Sequence, residues 1–245
     1  MQPIEGPRAE DIKNLFSAVA DGYDRANDAM TLGLAHRWRK QLVQWSGVKP
    51  GDHTLDCATG TGDLAIELKR AVGPRGHVIG TDFCADMLKH AGPKAQSKNL
   101  DIDFQMADAT QLPFADASFS VSTIAYGIRN VNDPLKALSE MARVVRPGGA
   151  VMVLETGDSP NNALKGFFDF YFRKVIPRVG GWVTGKRFAY EYLNNSSRGF
   201  PSRDRFLDLM RATGRFQSCE YRVLFGGASF LYRGVVGQAP EDASQ

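Results

Sequence analysis

Three aspartates stand where the chain turns out of short apolar runs. Asp56 lies in Leu55-Asp56-Cys57-Ala58, ahead of Thr59-Gly60-Thr61-Gly62; Asp82 follows His77–Thr81; Asp108 sits in Met106-Ala107-Asp108-Ala109. If those runs are strands of one parallel sheet, the three carboxylates share the edge where open α/β folds bind ligands. There they can accept from hydroxyl, amino and ammonium groups. Gly60 and Gly62 let the backbone come close to such a ligand. Capping of the next helix explains any one of these aspartates equally well. Three at successive strand ends point to recognition of one extended ligand.

Two ligand classes compete. Gly60-x-Gly62-x-x-Ala65 fits the dinucleotide fingerprint, with Asp82 twenty residues past Gly62, so a nicotinamide enzyme has to be weighed. Against it, a carboxylate at Asp56 is poorly placed beside a pyrophosphate. It suits the ammonium and sulfonium of S-adenosylmethionine, with Asp82 taking both ribose hydroxyls and Asp108 the adenine amino group. S-adenosylmethionine is therefore the expected cofactor, and no residue cluster suggests a metal.

These residues need elements to hold them. Residues 10–46 read as helical, with Ile12, Leu15, Phe16 and Val19 at helix spacing. Strands are expected over His53–Ala58, His77–Thr81, Ile102–Met106, Phe119–Ala125 and Ala150–Glu155. Helices are expected over Asp63–Val72, Ala85–Ala91 and Pro134–Val145, the last stopped by Arg146-Pro147-Gly148-Gly149. Such alternation predicts a doubly wound, mostly parallel α/β sheet. Residues 160–200 interrupt it with an aromatic, basic stretch expected to be a helical cover. Then come a helix over Arg203–Thr213 and strands over Cys219–Phe225 and Ser229–Val235 around Gly226-Gly227, a closing hairpin. The expectation is one seven-stranded, Rossmann-like domain over 1–238 with N-terminal helices, and a disordered tail over 239–245.

Bulk properties limit the surroundings. Cys57, Cys84 and Cys219 are odd in number and form no CxxC pair, which suits a reducing compartment and excludes a zinc cluster of that type. Met1–Glu10 lacks the apolar core of a signal peptide, and no run approaches a spanning helix, so the cytoplasm is the expected location. Residues 158–215 carry 11 Lys/Arg against 5 Asp/Glu and eleven aromatics. That mixture suits an anionic lipid surface, single-stranded nucleic acid or an amphipathic helical region.

Further stretches carry a resemblance. Leu112-Pro113-Phe114-Ala115-Asp116-Ala117-Ser118-Phe119 and Arg146-Pro147-Gly148-Gly149 are similar to class I methyltransferases. Phe16-Ser17-x-Val19-Ala20-x-x-Tyr23-Asp24-x-x-Asn27-Asp28, Gly127-Ile128-Arg129-Asn130-Val131 and Gly226-Gly227…Tyr232-Arg233-Gly234 resemble the ubiquinone/menaquinone biosynthesis C-methyltransferases. Tyr190-x-Tyr192-Leu193 with Phe200-Pro201 extends the likeness. It implies cofactor positions at Thr61, Asp82, Asp108, Ala109 and Ala125, and C-methylation of a prenylated quinol. Either demethylmenaquinol or a methoxy-polyprenyl-benzoquinol would serve, demethylmenaquinol being favoured. It also decides against nucleic acid as partner and implies a peripheral place at the inner face of a membrane, contacted through 158–215, with a homodimer as the candidate assembly. The chain departs from the family pattern at Ala26 (Met), Thr31 (Ser), Ala125 (Ser), Gly157 (Ser) and Tyr232 (His), and His36 falls one place late. A paralogue acting on another phenolic molecule is the alternative.

The chemistry needs few groups. Ionising a phenol of pKa near 10 at pH 7 costs about 4 kcal/mol, and a cation beside the developing oxyanion can supply part of that. Arg129 is the candidate, with Tyr126 or water relaying the proton; a structural salt bridge to Asp133 is the alternative role for Arg129.

Overall fold

The computed structural model describes residues 6–31, 33–157, 192 and 199–238. The expected helical cover at 160–200 and the tail at 239–245 fall almost wholly outside them. The N-terminal region is three helices, α1 (Ala9–Val19), α2 (Tyr23–Thr31) and α3 (Leu34–Ser46), with a single 3-10 turn at Ala20–Gly22 between the first two. Strands β1 (His53–Cys57), β2 (His77–Asp82), β3 (Asp103–Met106), β4 (Phe119–Ala125) and β5 (Val145–Thr156) are connected by helices α4 (Asp63–Val72), α5 (Ala85–Gln96) and α6 (Pro134–Arg143), with no helix among the described residues between β3 and β4. Helix α7 (Asp204–Ala212) precedes β6 (Phe216–Leu224) and β7 (Ser229–Val236). One sheet results, in the order β3-β2-β1-β4-β5-β7-β6. The first five strands are parallel, and β7 runs antiparallel to both β5 and β6.

Strand alternation builds two cores. Val151 and Val153 of β5 join Ile124, Leu138, Met141, Phe206 and Phe230 on the face covered by α6 and α7. Ala150, Met152 and Leu154 join Leu42, Leu64, Leu68 and Leu231 on the face covered by α3 and α4. Strand β4 is buried along all but its last residue, as a central parallel strand must be.

The main difference from the sequence reading lies at Arg146-Pro147-Gly148-Gly149. These residues end the helix region but belong to β5, because Phe119 pairs with Val145 and Val121 with Ala150. Three extra residues on β5 bulge out. Gly148 is left-handed at φ 79°. A side chain at Gly149 would collide with the carbonyl of Ser120 and lie 2.6 Å from Val145 Cγ1. Gly149→Val should therefore lower stability by about 1–3 kcal/mol, the scale of an overpacked site, read as a fall in Tm in a thermal scan.

Candidate active site

The loop from β1 to α4 is wound by residues with positive φ: Ala58 (47°), Gly60 (58°) and Gly62 (85°). Asp56 holds it from beneath. Asp56 is 1% exposed; its Oδ2 accepts from Thr59 Oγ1 at 2.6 Å and its Oδ1 from Thr123 Oγ1 of β4 at 2.7 Å. Burial pushes its carboxyl up to about 6, even though both hydroxyl donors oppose the shift. Asp82 braces the loop from the side. Its Oδ2 accepts from Gly60 N at 2.8 Å and its Oδ1 from Cys84 N at 2.9 Å, and burial raises its pKa against those bonds. Asp108 turns its own loop, accepting from Thr110 N at 2.8 Å.

A cleft of about 750 Å³, counted to its open mouth and including the solvent space there, runs along the carboxyl ends of the strands. One end is lined by Asp82, Phe83, Met87 and Ala107-Asp108-Ala109; the other by Ala125-Tyr126-Gly127 and Asn130–Asn132. Ala58 and Gly60 form the floor, and Ala9, Phe16 and Tyr23 of the N-terminal helices form the roof. So Gly60, Asp82, Asp108, Ala109, Ala125 and Tyr126 meet around one space. Asp56, Thr61, Gly62 and Arg129 stand behind its walls. Sequence reasoning gave no site role to Phe16, Tyr23, Phe83, Met87 or Asn130. Phe16, Tyr23 and Asn130 had a signal, since they fall in the stretches that carry the family resemblance.

Thr61 instead anchors the roof. Its hydroxyl donates to Asp24 Oδ1 at 2.6 Å, while Lys94 of α5 bridges Asp24 at 2.6 Å and Asp63 at 2.5 Å. Arg39 of α3 meets the other oxygen of Asp63 at 3.1 Å. These charges hold the Asp63 carboxyl below its ordinary value although burial opposes them.

At the opposite end Tyr126 has φ 57°, a sparsely populated conformation for an aromatic residue. Gly127 must stay small beside it, because a Cβ there would lie 2.6 Å from that of Ala58. The Tyr126 hydroxyl is 3.4 Å from Ser229 Oγ, and burial raises its pKa well above the phenol value. Arg129 follows in a 3-10 turn, Ile128–Asn130. Its salt bridge runs to Glu155, the carboxylate near the end of β5. Asp133 caps α6 instead, accepting from Lys136 N at 2.9 Å. Among the departures, Tyr232 is buried and its hydroxyl oxygen accepts from Arg203 N at 2.8 Å. A side chain at Gly157 would overlap the ring of Phe230.

The model of the ubiE/COQ5 methyltransferase family matches residues 5–236. The chain belongs to this family. Among its UbiE relatives, the ubiquinone/menaquinone biosynthesis C-methyltransferase UbiE of Bdellovibrio bacteriovorus is 54% identical over 230 residues, covering 94% of this chain and 97% of that protein. The demethylmenaquinone methyltransferase of Deinococcus radiodurans is 38% identical over 227 residues, covering 93% of each. Solved structures extend the likeness in fold alone. A SAM-dependent methyltransferase from Aquifex aeolicus superposes with TM-score 0.59 at 17% identity, over 81% of this chain and 89% of its own. The [4+2]-cyclase SpnF does so with TM-score 0.62 at 15% identity, over 96% and 99%. A cyclase on the same fold as a methyltransferase shows why function must be argued from the site.

The Asp56 clamp predicts a pH dependence in this ubiE/COQ5 family member. Because its carboxyl is raised to about 6, the stability linked to it is complete below the ordinary carboxylate value and is lost as pH rises through about 6. Relative to Asp56→Asn, the wild-type protein should gain up to about 3 kcal/mol between pH 7 and pH 4. Denaturant melts of both proteins across that range check the sign.

Proposed function

We propose that this S-adenosylmethionine-dependent C-methyltransferase of quinone biosynthesis acts on a prenylated quinol, with demethylmenaquinol favoured over a methoxy-polyprenyl-benzoquinol. The observation that carries the reading is the cleft itself. Two strand-end carboxylates flank an apolar pocket at one end, and a buried arginine backs the other, in a chain of this family.

The residues at the first end fit the cofactor. The Asp82 carboxylate accepts backbone N–H groups from Gly60, Cys84 and Phe83 and keeps acceptor capacity for the ribose hydroxyls. Phe83, Met87 and Ala107 supply apolar contact for adenine, and Asp108 can accept from its amino group. The left-handed Gly60 brings bare backbone to the cleft floor. When bound, the cofactor supplies a methyl group already made electrophilic by its sulfonium. Asp56, enclosed by Thr59 and Thr123, supports this site from behind by fixing the loop.

At the second end the chain has to orient a ring and favour loss of its hydroxyl proton. The backbone of Ala125-Tyr126-Gly127 shapes the wall. Arg129 stabilises negative charge on the ring oxygen, and Arg cannot readily serve as the base. Tyr126, harder to ionise than a free phenol, relays a proton only as a neutral hydroxyl, which leaves water as the acceptor. Holding donor and acceptor together contributes a large part of the rate.

A membrane surface is part of the same proposal, because a prenylated substrate resides there. Support comes from the charge and aromatic content of 158–215 and from Val223 and Phe225. These side chains are 53% and 58% exposed where β6 ends, near the carboxyl end of β5. No helix among the described residues is long and apolar enough to cross a membrane. Flotation with anionic vesicles should carry the protein at low salt and release it at high salt, and sedimentation at several concentrations tests the proposed homodimer.

Two variants separate the ends of the cleft. Asp82→Ala should abolish binding of S-adenosylhomocysteine in calorimetry; wild-type affinity in that variant would remove the cofactor assignment. Arg129→Ala should bind it nearly normally while methyl transfer falls by about two orders of magnitude, the scale for losing one preorganised donor. Quinone profiles of cells lacking the protein identify the acceptor, through the demethylated quinol that accumulates.

A further inference from the structure

Glu155 is a buried carboxylate that the reaction as described does not use. It follows Val151 and Val153 on one face of β5, where the pattern calls for another apolar residue, and it is 1% exposed. A carboxylate in such a place is costly unless it is paired and hydrogen-bonded. Its pairing is uneven. Oε1 takes the Arg129 Nη1 contact together with Thr156 N at 2.7 Å and Thr156 Oγ1 at 3.0 Å. Oε2 is buried with no partner, and so is Arg129 Nε. Arginine and carboxylate can pair through two parallel bonds, and a pair serving stability alone would gain from doing so. This one joins a single oxygen to a single nitrogen.

The backbone under Arg129 is fixed as well. Asn130 N donates to Gly127 O at 2.9 Å, and Asn130 Nδ2 donates to Tyr126 O at 3.3 Å. Asn130 itself lines the cleft, 7% exposed, with its Oδ1 buried and unpartnered. Turn and guanidinium are thus held from two sides, while polar atoms of Arg129, Asn130 and Glu155 lack partners.

We propose that Glu155 is a positioning residue for the acceptor chemistry. It pins Nη1 of the Arg129 guanidinium and so fixes the orientation of the far nitrogen, Nη2, toward the ring oxygen of the substrate. Glu155 and Arg129 both lie behind the cleft wall, but Arg129 sits beside the lining residue Asn130 and one residue past Gly127-Ile128, so Glu155 acts through Arg129. The inference rests on the role given to Arg129 above.

The experiment is a double-variant cycle in the full-length protein, with a short-chain demethylated quinol kept reduced. Arg129→Ala, Glu155→Gln and the double variant are assayed for kcat and KM, for S-adenosylhomocysteine affinity and for the pH profile. Glu155→Gln should lower kcat by about 30–100-fold with KM and cofactor affinity nearly unchanged, and its pH profile should keep its shape at reduced height. Glu155→Asp should recover part of the rate, and it is the variant used if the Gln protein does not fold. The double variant should be no slower than Arg129→Ala alone, because Glu155 has no route to the substrate except through Arg129.

Normal turnover in Glu155→Gln beside a slow Arg129→Ala would overturn the positioning role and leave Arg129 in place. Normal turnover in Arg129→Ala would overturn the reading on which it rests. Losses that multiply in the double variant, or an acid limb that vanishes in Glu155→Gln, would make Glu155 a proton acceptor in its own right and equally overturn the proposal.

Discussion

Everything at the ligand edge hangs on the buried carboxylate of Asp56. One oxygen grips Thr123 on β4 and the other grips Thr59 in the glycine loop, so a single side chain sets the distance between two central strands and the turn that leaves one of them. Ala58 and Tyr126, the residues just past the two strands, both take positive φ. Non-glycine residues hold such angles at a cost of order 1–3 kcal/mol each, and they persist because the clamp and the close contact across Gly127 leave no room to relax. The cleft floor is therefore rigid for reasons that lie below it.

The roof is built on another principle. Residues from α1 and α2 reach over the cleft, and they are fastened by charge in addition to the packing of Phe16, Ala20 and Tyr23 on Cys84 and Met87. Asp24, Lys94, Asp63 and Arg39 form a chain that begins at the hydroxyl of Thr61. Lys94 and Asp24 are partly exposed, at 22% and 39%, so solvent and salt weaken this fastening more than they weaken the Asp56 clamp.

Much of this was legible in the sequence because it follows local rules. The glycine turn, the strand-end aspartates, the alternation of elements and the closing hairpin each have a short-range signature, and Gly60, Asp82, Asp108, Ala109, Ala125 and Tyr126 do line one space. What stayed hidden depends on long-range packing. Phe16 read as a helix-face residue and Tyr23 as part of a family-like stretch, and only the tertiary fold turns them over the cleft. Arg146–Gly149 read as a helix stop, while its second task as a bulge depends on the register between β4 and β5. Glu155 read as the polar end of a strand. Its burial follows in part from β7, whose Phe230 pairs with it and arrives 75 residues later in the chain. Arg129 could not be matched to Glu155 rather than to the nearby Asp133, because 26 residues separate the true partners.

Gly157 and Phe230 show how such packing restricts the chain's history. The phenyl ring fills the space that a side chain at 157 would need, and it is locked between Glu155's strand, Tyr221, Tyr232 and the guanidinium of Arg203. A serine at 157 and the phenylalanine at 230, as the ring is placed here, thus exclude each other. A side chain can enter at 157 only if the ring at 230 shifts or is made smaller, whereas a smaller residue at 230 meets no obstacle from Gly157. The glycine at 157 is therefore dictated by a ring more than seventy residues further along the chain.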